Sequence, residues 1–373
     1  MTKYKFDEIA INSTQKKKPT EEDKVYYIGL EHIDPGCFDV VRWGSDVAPT
    51  GDKLLMQKGD VLFGKRRAYQ RKVAIAPFDG IFSAHGMVLR PNLKVIDANY
   101  FPFFISSDKF METAVRISVG GLSPTINWKD LAKQEFELPS LEEQKVLADK
   151  LWAAYRLKEA YKKLLVATDE MVKSQFIEMF GDPMTNTKAW VEFGYIGNYT
   201  QIVLGTTPNS KNSSYWNGEI KWITPAEMTE ESYYIYDTER HLTEEGLKAA
   251  NLTLLPCRSV LFSTRAPIGK VGLVGSPMYC NQGFKNFVCG DQLNPVYLYY
   301  SLIFKREYLV SLGTGTTFKE LSKKAVENLK IAVPPLILQN KFEEIYQQAD
   351  KSKFELRKSI DAIDKVIKSL INN

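Results

Sequence analysis

A chain of 373 residues is too long for one ordinary core, so two or three domains are expected. Its 44% hydrophobic and 25% charged residues are those of a soluble globular protein, and no run of about 18 apolar residues exists to span a membrane. The net charge of +4 does not announce a polyanionic partner, so the placement of charge matters more than its sum.

The opening stretch MTKYKFDEIAINSTQKKKPT carries lysines but no apolar centre, so a secretory signal is not expected and the cytoplasm is the predicted location. From Lys58 to Lys94, eight Lys and Arg stand against only Asp60 and Asp79. Within that segment KRRAYQRK sets five cations in eight residues directly after GDVLF, a run with strand character. Lysine and arginine gain affinity from phosphates, and an arginine fork distinguishes guanine through O6 and N7. Lys65, Arg66, Arg67, Tyr69, Arg71 and Lys72 are therefore candidate DNA contacts; a solvated loop is the plainer alternative.

KVAIAP and GMVLRP read as further short strands, and DANYFPFFISSDKFMETAV as an aromatic-rich helix. Next comes GGLSPTIN, a glycine- and hydroxyl-rich loop whose Ser123, Thr125 and Asn127 could approach a nucleic-acid backbone or simply cap a helix. LPSLEEQ then opens a long helix with a seam predicted at Leu147, Lys150, Ala154, Leu157, Tyr161, Leu164, Thr168, Met171 and Gln175. Gly181 and Pro183 of FGDPMTN end it.

The second half repeats this order. GTTPNSKNSSYW offers Thr206, Thr207, Lys211 and Asn212; STRAPIGK offers Arg265 and Lys270. LNPVYLYYSLIFKREYLVSL is a second aromatic helix, with Asn294 as its cap and Pro295 at its first position. GTGTTFKEL contributes Thr314, Thr316, Thr317 and Lys319. VPPLILQ then starts another long helix, its seam predicted at Phe342, Ile345, Ala349, Ser352, Leu356, Ser359, Ile363, Val366 and Leu370.

Pro139 and Pro334, Gln144 and Gln339, and Gly120 and Gly315 all lie 195 residues apart. Small gaps shift the offset so that Val61-Leu62-Phe63 meets Val260-Leu261-Phe262 and Gly86-Met87 meets Gly283-Phe284. The expected fold class is α+β: two similar mixed α/β domains separated by two long helices, which form an antiparallel coiled coil with a pseudo-twofold internal repeat. The expected bounds are 1–140 for the first domain, 141–179 for the central helix, 180–335 for the second domain and 336–373 for the last helix. Such a dumbbell suits two separated stretches of duplex DNA.

The doubled LPSLEEQ/VPPLILQ, the FGDPMTN junction and GTTPNSKNSSYWNGEIKWIT together resemble the specificity subunit of type I restriction–modification systems, along essentially the whole chain. The resemblance implies a prokaryotic DNA-binding protein that reads a bipartite target, one half per domain. Two methyltransferase subunits would dock on the helices, with Leu141, Glu142, Glu143, Gln144, Leu336 and Gln339 as candidate contacts, and restriction subunits would join them. S-adenosylmethionine, Mg and ATP would sit only on those partners, none on this chain. The second helix start lacks the Glu142-Glu143 pair, so docking at the two ends need not be equal.

Catalytic readings find little support. NPVY is one residue from the NPPY signature of adenine methyltransferases, yet no glycine-rich cofactor loop accompanies it. Glu143 and Lys145, with Asp130 upstream, mimic nuclease spacing but fall on a helix start, and there is no Walker A motif. Cys37, Cys257, Cys280 and Cys289 lack paired spacing and the chain has three histidines, so no metal is expected and the thiols read as reduced and mostly buried. A structural adaptor without active partners and a cryptic methyltransferase remain the competing functions.

Overall fold

The computed structural model describes residues 1–190, 193–229, 233–265, 267–314 and 319–372. They form two compact units, Met1–Lys163 with Leu356–Asn373, and Leu164–Glu355. Each unit thus holds a globular head together with a segment of both long helices.

In the first unit, Thr2–Lys5 pairs antiparallel with Glu135–Leu138, tying the start of the head to the strand that leads into the central helix. EFEL at 135–138 alternates exposed and buried, the period of two that a half-covered strand requires. An antiparallel sheet runs in the order Ala10–Ser13, Met87–Pro91, Val61–Phe63, Val73–Ile75. Val61, Leu62 and Phe63 are all buried, because this strand has apolar neighbours on both faces. A further sheet orders Lys16–Lys17, Lys53–Met56, Gly80–Phe82 and Tyr27–Ile28, the last two parallel. The aromatic stretch breaks into Phe101–Ser106 and Asp108–Arg116 at Ser107, whose hydroxyl accepts from Phe110 N at 3.2 Å and caps the second piece. Phe6, wholly buried, lies 5.2–5.9 Å from the rings of Phe110, Trp128 and Phe136. Each such phenylalanine contributes about 1.5–3 kcal/mol by leaving water.

The second unit repeats the plan. Phe193–Tyr195 pairs with Lys330–Ala332; a sheet orders Thr200–Leu204, Lys285–Cys289, Val260–Phe262, Val271–Val274 and Tyr234–Ile235. Trp222 and Ile223 pair in parallel with Tyr279 and Cys280, as Tyr27 and Ile28 do with Ile81 and Phe82. Tyr233, Tyr299, Tyr300 and Tyr346 cluster in its core, Tyr233 and Tyr346 stacked with centroids 3.9 Å apart and Tyr299 edge-on to Tyr233.

The long helices are Leu141–Phe180 and Leu336–Asn372. Ser140 and Glu143 form a capping box: Glu143 Oε2 accepts from Ser140 N and Oγ, both at 2.8 Å, and Glu143 N donates back to Ser140 Oγ. Gly181, at φ +77°, stops the central helix with its N–H on Ile177 O. The helices pack antiparallel in each unit. In the first, Lys158 meets Asp364 at 2.5 Å, while Ile367, Leu370 and Ile371 pack against the core that also receives Leu147 and Trp152. In the second, Phe176 stands 5.3 Å from Phe342, and Lys353 meets Asp169 at 2.7 Å.

The seam differs from the one read in sequence. On the central helix Ala148, Leu151, Tyr155, Val172 and Phe176 are buried, each one residue later than an expected seam position, while Leu157, Leu164 and Met171 are exposed; Gln144 and Phe180 are buried at its two ends. On the second helix Phe342 and Ala349 face inward as expected, but Tyr346 and Lys353 replace Ile345 and Ser352, and Val366 is exposed. Two heptad registers fit such a pattern, and the aromatic heads select the one that buries Tyr155, Phe176 and Tyr346.

Candidate nucleic-acid interface

The basic loop of the first unit leaves the strand Val61–Phe63 and stays extended through Arg66. Ile126 N donates to Lys65 O at 3.0 Å, Arg66 N to His85 O at 3.1 Å and Arg67 N to Pro124 O at 2.7 Å. This backbone ladder brings KRR beside GGLSPTIN, two segments that the sequence presents separately. Arg66 and Thr125 form a β-bridge, as do Val119 and Thr125. Arg67 and Arg71 flank the turn Ala68–Gln70 in the left-handed region, at φ +56° and +54°. That region costs a non-glycine residue about 1 kcal/mol, so the surrounding bonds must hold the loop in place.

Arg67 donates through Nε and Nη2 to Ser123 Oγ at 3.3 and 3.1 Å. Arg66 Nη1 lies 3.4 Å from His85 Nε2. Burial and then the charges of Arg66, Lys65 and Lys53 hold the His85 imidazole below its ordinary range, so the neutral ring accepts from the guanidinium. Arg66, Arg67, Gln70, Ser83, His85 and Glu31 share one cleft, with Tyr69 exposed nearby. Half-burial, then Lys16, lowers the Lys65 ammonium.

Two members of the predicted set are otherwise engaged. Lys72 Nζ donates to Leu30 O at 2.6 Å, and Lys270 Nζ donates to Pro225 O and Met228 O at 2.9 and 2.8 Å. Leu30 and Pro225 are 195 residues apart, so one internal clamp occurs in both heads. These lysines satisfy carbonyls of the turn after the parallel strand, a structural role that their place in the sequence does not announce. Arg71 is likewise held, at 2.9 Å to Ser106 O and 2.8 Å to Asp108.

In the second unit, Arg265 occupies the place of Arg66, and its bridge partner is Glu320. Arg265 Nε donates to Glu320 Oε2 at 2.9 Å, while the buried Lys285 reaches Oε1 at 3.0 Å and Thr264 Oγ1 at 3.1 Å. Burial pushes the Glu320 carboxyl up, but Lys285 and Arg265 outweigh it and hold the group below the ordinary glutamate range. Thr314 also bridges to Glu320, and its Oγ1 donates to Glu320 O at 3.3 Å. Lys319 is exposed; Thr316 and Thr317 lie outside the described residues. Thr206 and Lys211 are exposed, Thr207 Oγ1 bonds Gln282 Oε1, and Asn212 Oδ1 caps the turn Ser213–Tyr215 through Ser214 N at 3.2 Å. In the first unit, Thr125 donates to Ser123 O at 3.2 Å and Asn127 to Asp130 at 3.4 Å. Glu320 is a neighbour of the candidate arginines that the sequence does not single out, whereas His85 lies at a strand-end loop where a packed or surface role is as well suited. The signal for Glu320 is the repeat itself, which sets it 195 residues from Thr125.

Of the expected docking residues, Gln144 and Gln339 are 0% exposed and cannot meet a partner. Gln144 accepts from Asp97 N at 2.8 Å and donates to Val95 O and Pro139 O at 3.1 and 2.9 Å. Gln339 makes the corresponding bonds to Asn294 N, Gln292 O and Pro334 O at 2.8, 3.0 and 2.7 Å. Glu143 is drawn into its own helix cap, whereas Glu142 is exposed and pairs with Lys145 at 3.0 Å. Leu141 is half-buried, and Leu336 and Ile337 are 40% and 77% exposed. In the first unit Glu142, Glu143, Val146, Leu147, Phe136 and Ile371 line a groove of about 980 Å³.

Asn294 is buried and occupied: Oδ1 accepts from Val296 N and Tyr297 N, and Nδ2 donates to Asn340 and Glu343. It caps its helix and has no free edge for a nucleobase. All four cysteines are free, but only Cys280 is fully buried and Cys257 is exposed, which corrects the expectation of mostly buried thiols. Cys37, Asp39 and Glu159 bring ligand atoms within 4.8 Å, yet Asp39 accepts from Tyr155 OH and Glu159 pairs with Lys162.

The family described as type I restriction modification DNA specificity domain matches residues 3–165 and 190–364. The chain belongs to that family. Its specificity-domain relatives include the MjaIX specificity subunit of Methanocaldococcus jannaschii, 33% identical over 46% of this chain and 41% of that one. A putative MjaX specificity subunit of the same organism is 26% identical over 94% of this chain and 87% of its own length. A solved chain from a study of complex assembly and conformational transition of the type I R-M system matches with a TM-score of 0.60 at 19% identity. That likeness covers 99% of this chain and 96% of the other, and it is one of fold. The specificity-subunit relatives are non-catalytic, the enzymatic activities of such systems lying in other subunits.

Proposed function

We propose that this chain is the DNA-reading specificity subunit of a type I restriction–modification enzyme, each head contacting one half of a split duplex target. The observation that carries this reading is the arginine placed on the same backbone bridge in both heads, Arg66 opposite Thr125 and Arg265 opposite Glu320, within a family match that runs through both. Residues 1–140 and 180–335 act as the recognition domains; 141–179 and 336–373 set the unread interval. Two methyltransferase subunits dock on the helix starts and restriction subunits join them, bringing S-adenosylmethionine, Mg and ATP on their own chains. The work takes place in a prokaryotic cytoplasm; among the described residues no helix is long and apolar enough to cross a membrane.

Affinity in this reading comes from Arg67, Lys65 and Lys211 against phosphates, and discrimination from the arginine forks against base edges. Mapping of methylated adenines in a host carrying the chain with its partner subunits tests it. A split motif that appears with the chain and changes when a head is replaced supports the reading; a motif indifferent to the chain rejects it. Methyl transfer by the purified chain alone would favour the methyltransferase alternative, and uniform weak footprinting without a gap the adaptor.

A further inference from the structure

The two heads hold their equivalent arginines by different means. Arg66 is supported by the neutral His85 ring and faces Thr125 across the bridge, with no carboxylate bonded to it among the described residues. Arg265 is anchored through Nε to Glu320, which Lys285 fixes from its other oxygen. Lys285 is itself buried and bonded to Thr264, so the carboxylate cannot swing without stranding a buried ammonium. An arginine held at Nε keeps both terminal nitrogens available as a fork, pre-ordered before any base arrives.

We propose that Glu320 is a specificity-positioning residue, which holds Arg265 as the fork that reads a guanine edge in one half of the DNA target. The inference rests on the reading given under Proposed function and assigns a residue pair within it. Thr125 stands at the equivalent register position of the first head, so the two heads share a scaffold but aim their arginines differently. Glu320 touches no base itself; it acts through Arg265.

The test uses the complete complex with its partner subunits and recovers the methylated motif for wild type, E320Q, E320D and R265K. E320Q removes the charge that anchors Nε, R265K keeps an ion pair with Glu320 but has no fork, and E320D keeps the carboxylate. The expected result is a roughly 10- to 100-fold loss of preference for guanine at one position of one half-site, the same position in E320Q and R265K. E320D retains part of that preference, and the other half-site is unchanged in all three. Thermal melts of the same complexes separate this from a folding defect, which would weaken both halves together. Unchanged preference in R265K, or relaxation of different positions by E320Q and R265K, overturns the assignment. If E320Q fails to assemble, E320D and R265K decide together: partial loss in E320D at the position that R265K relaxes supports the assignment, and undiminished preference in E320D overturns it. Absence of any split motif in the wild-type complex would reject the function itself rather than the role of Glu320.

Discussion

Among the basic side chains, position in the backbone ladder decides which are tied down within the head and which are offered to a partner. KRRAYQRK carries five cations, but Lys72 is folded onto Leu30 O and Arg71 onto Asp108, leaving Lys65, Arg66 and Arg67 for the proposed interface. Replacing Arg66 and Arg67 by Ala should relax one half-site of the methylated motif and leave the other intact. Lys72→Met or Lys270→Met should instead lower stability by about 1–3 kcal/mol, because carbonyls lose a charged donor in a half-buried site. Under the proposed function, their DNA affinity should keep its salt slope, measured by titration at several ionic strengths, because both ammonium groups are bonded within the head. The sequence displayed charge density plainly. It could not display that Lys72 and Lys270 point inward, because a lysine stem is equally suited to a solvated surface and to a carbonyl clamp. His85 and Glu320 were harder still: their roles arise from bridges between segments about 20 and 55 residues apart.

At the scale of elements, helix starts were the most legible feature, because proline, a cap and a leucine-spaced run leave a local signature. The role of the repeated glutamine was not legible, since its bonds reach backbone nearly fifty residues away. Gln144→Ala or Gln339→Ala should cost about 2–3 kcal/mol in denaturant unfolding, leaving a buried N–H and carbonyls unpaired. The seam register was missed for a related reason: heptads specify a stripe, and the packed heads choose between neighbouring stripes. Glu343 on the second helix supplies a pH signature. Burial pushes its carboxyl up, but Arg258 at 2.5 Å and Asn294 at 2.6 Å outweigh this and hold it below the ordinary value of 4.5. A depressed carboxylate contributes stability above its unfolded pKa and loses it as pH falls through the folded one. Glu343→Gln should therefore flatten the acid limb of a stability–pH curve, measured by thermal melts below pH 5.

For the whole molecule, the proposed division of labour separates reading from spacing. One heptad inserted into both long helices adds about 10 Å of helix, equal to about three base pairs of duplex. The unread interval of the methylated motif should lengthen by that amount with both half-sites unchanged; an unaltered interval would mean that the helices do not set it. The twofold repeat was legible from spelling alone because its helix starts and strand runs survive. What diverged between the copies, Thr125 against Glu320 and His85 against Gln282, is the part that a reader of two different half-sites would vary.

Gln144 and Gln339 bond only to main-chain groups of their heads: an N–H, a carbonyl two residues before it, and the carbonyl of the proline ahead of the helix. A fastening that recognises backbone alone is indifferent to the side chains of the head it fastens. A foreign head that ends in the same turn at Pro139 or Pro334 would therefore find this one fastening ready made, while Trp152, Tyr155 and Glu343 of the helices would still have to suit its side chains. Under the proposed function, the backbone-only part of the joint is what every new head could share, and the side-chain part is what would limit which heads can be exchanged.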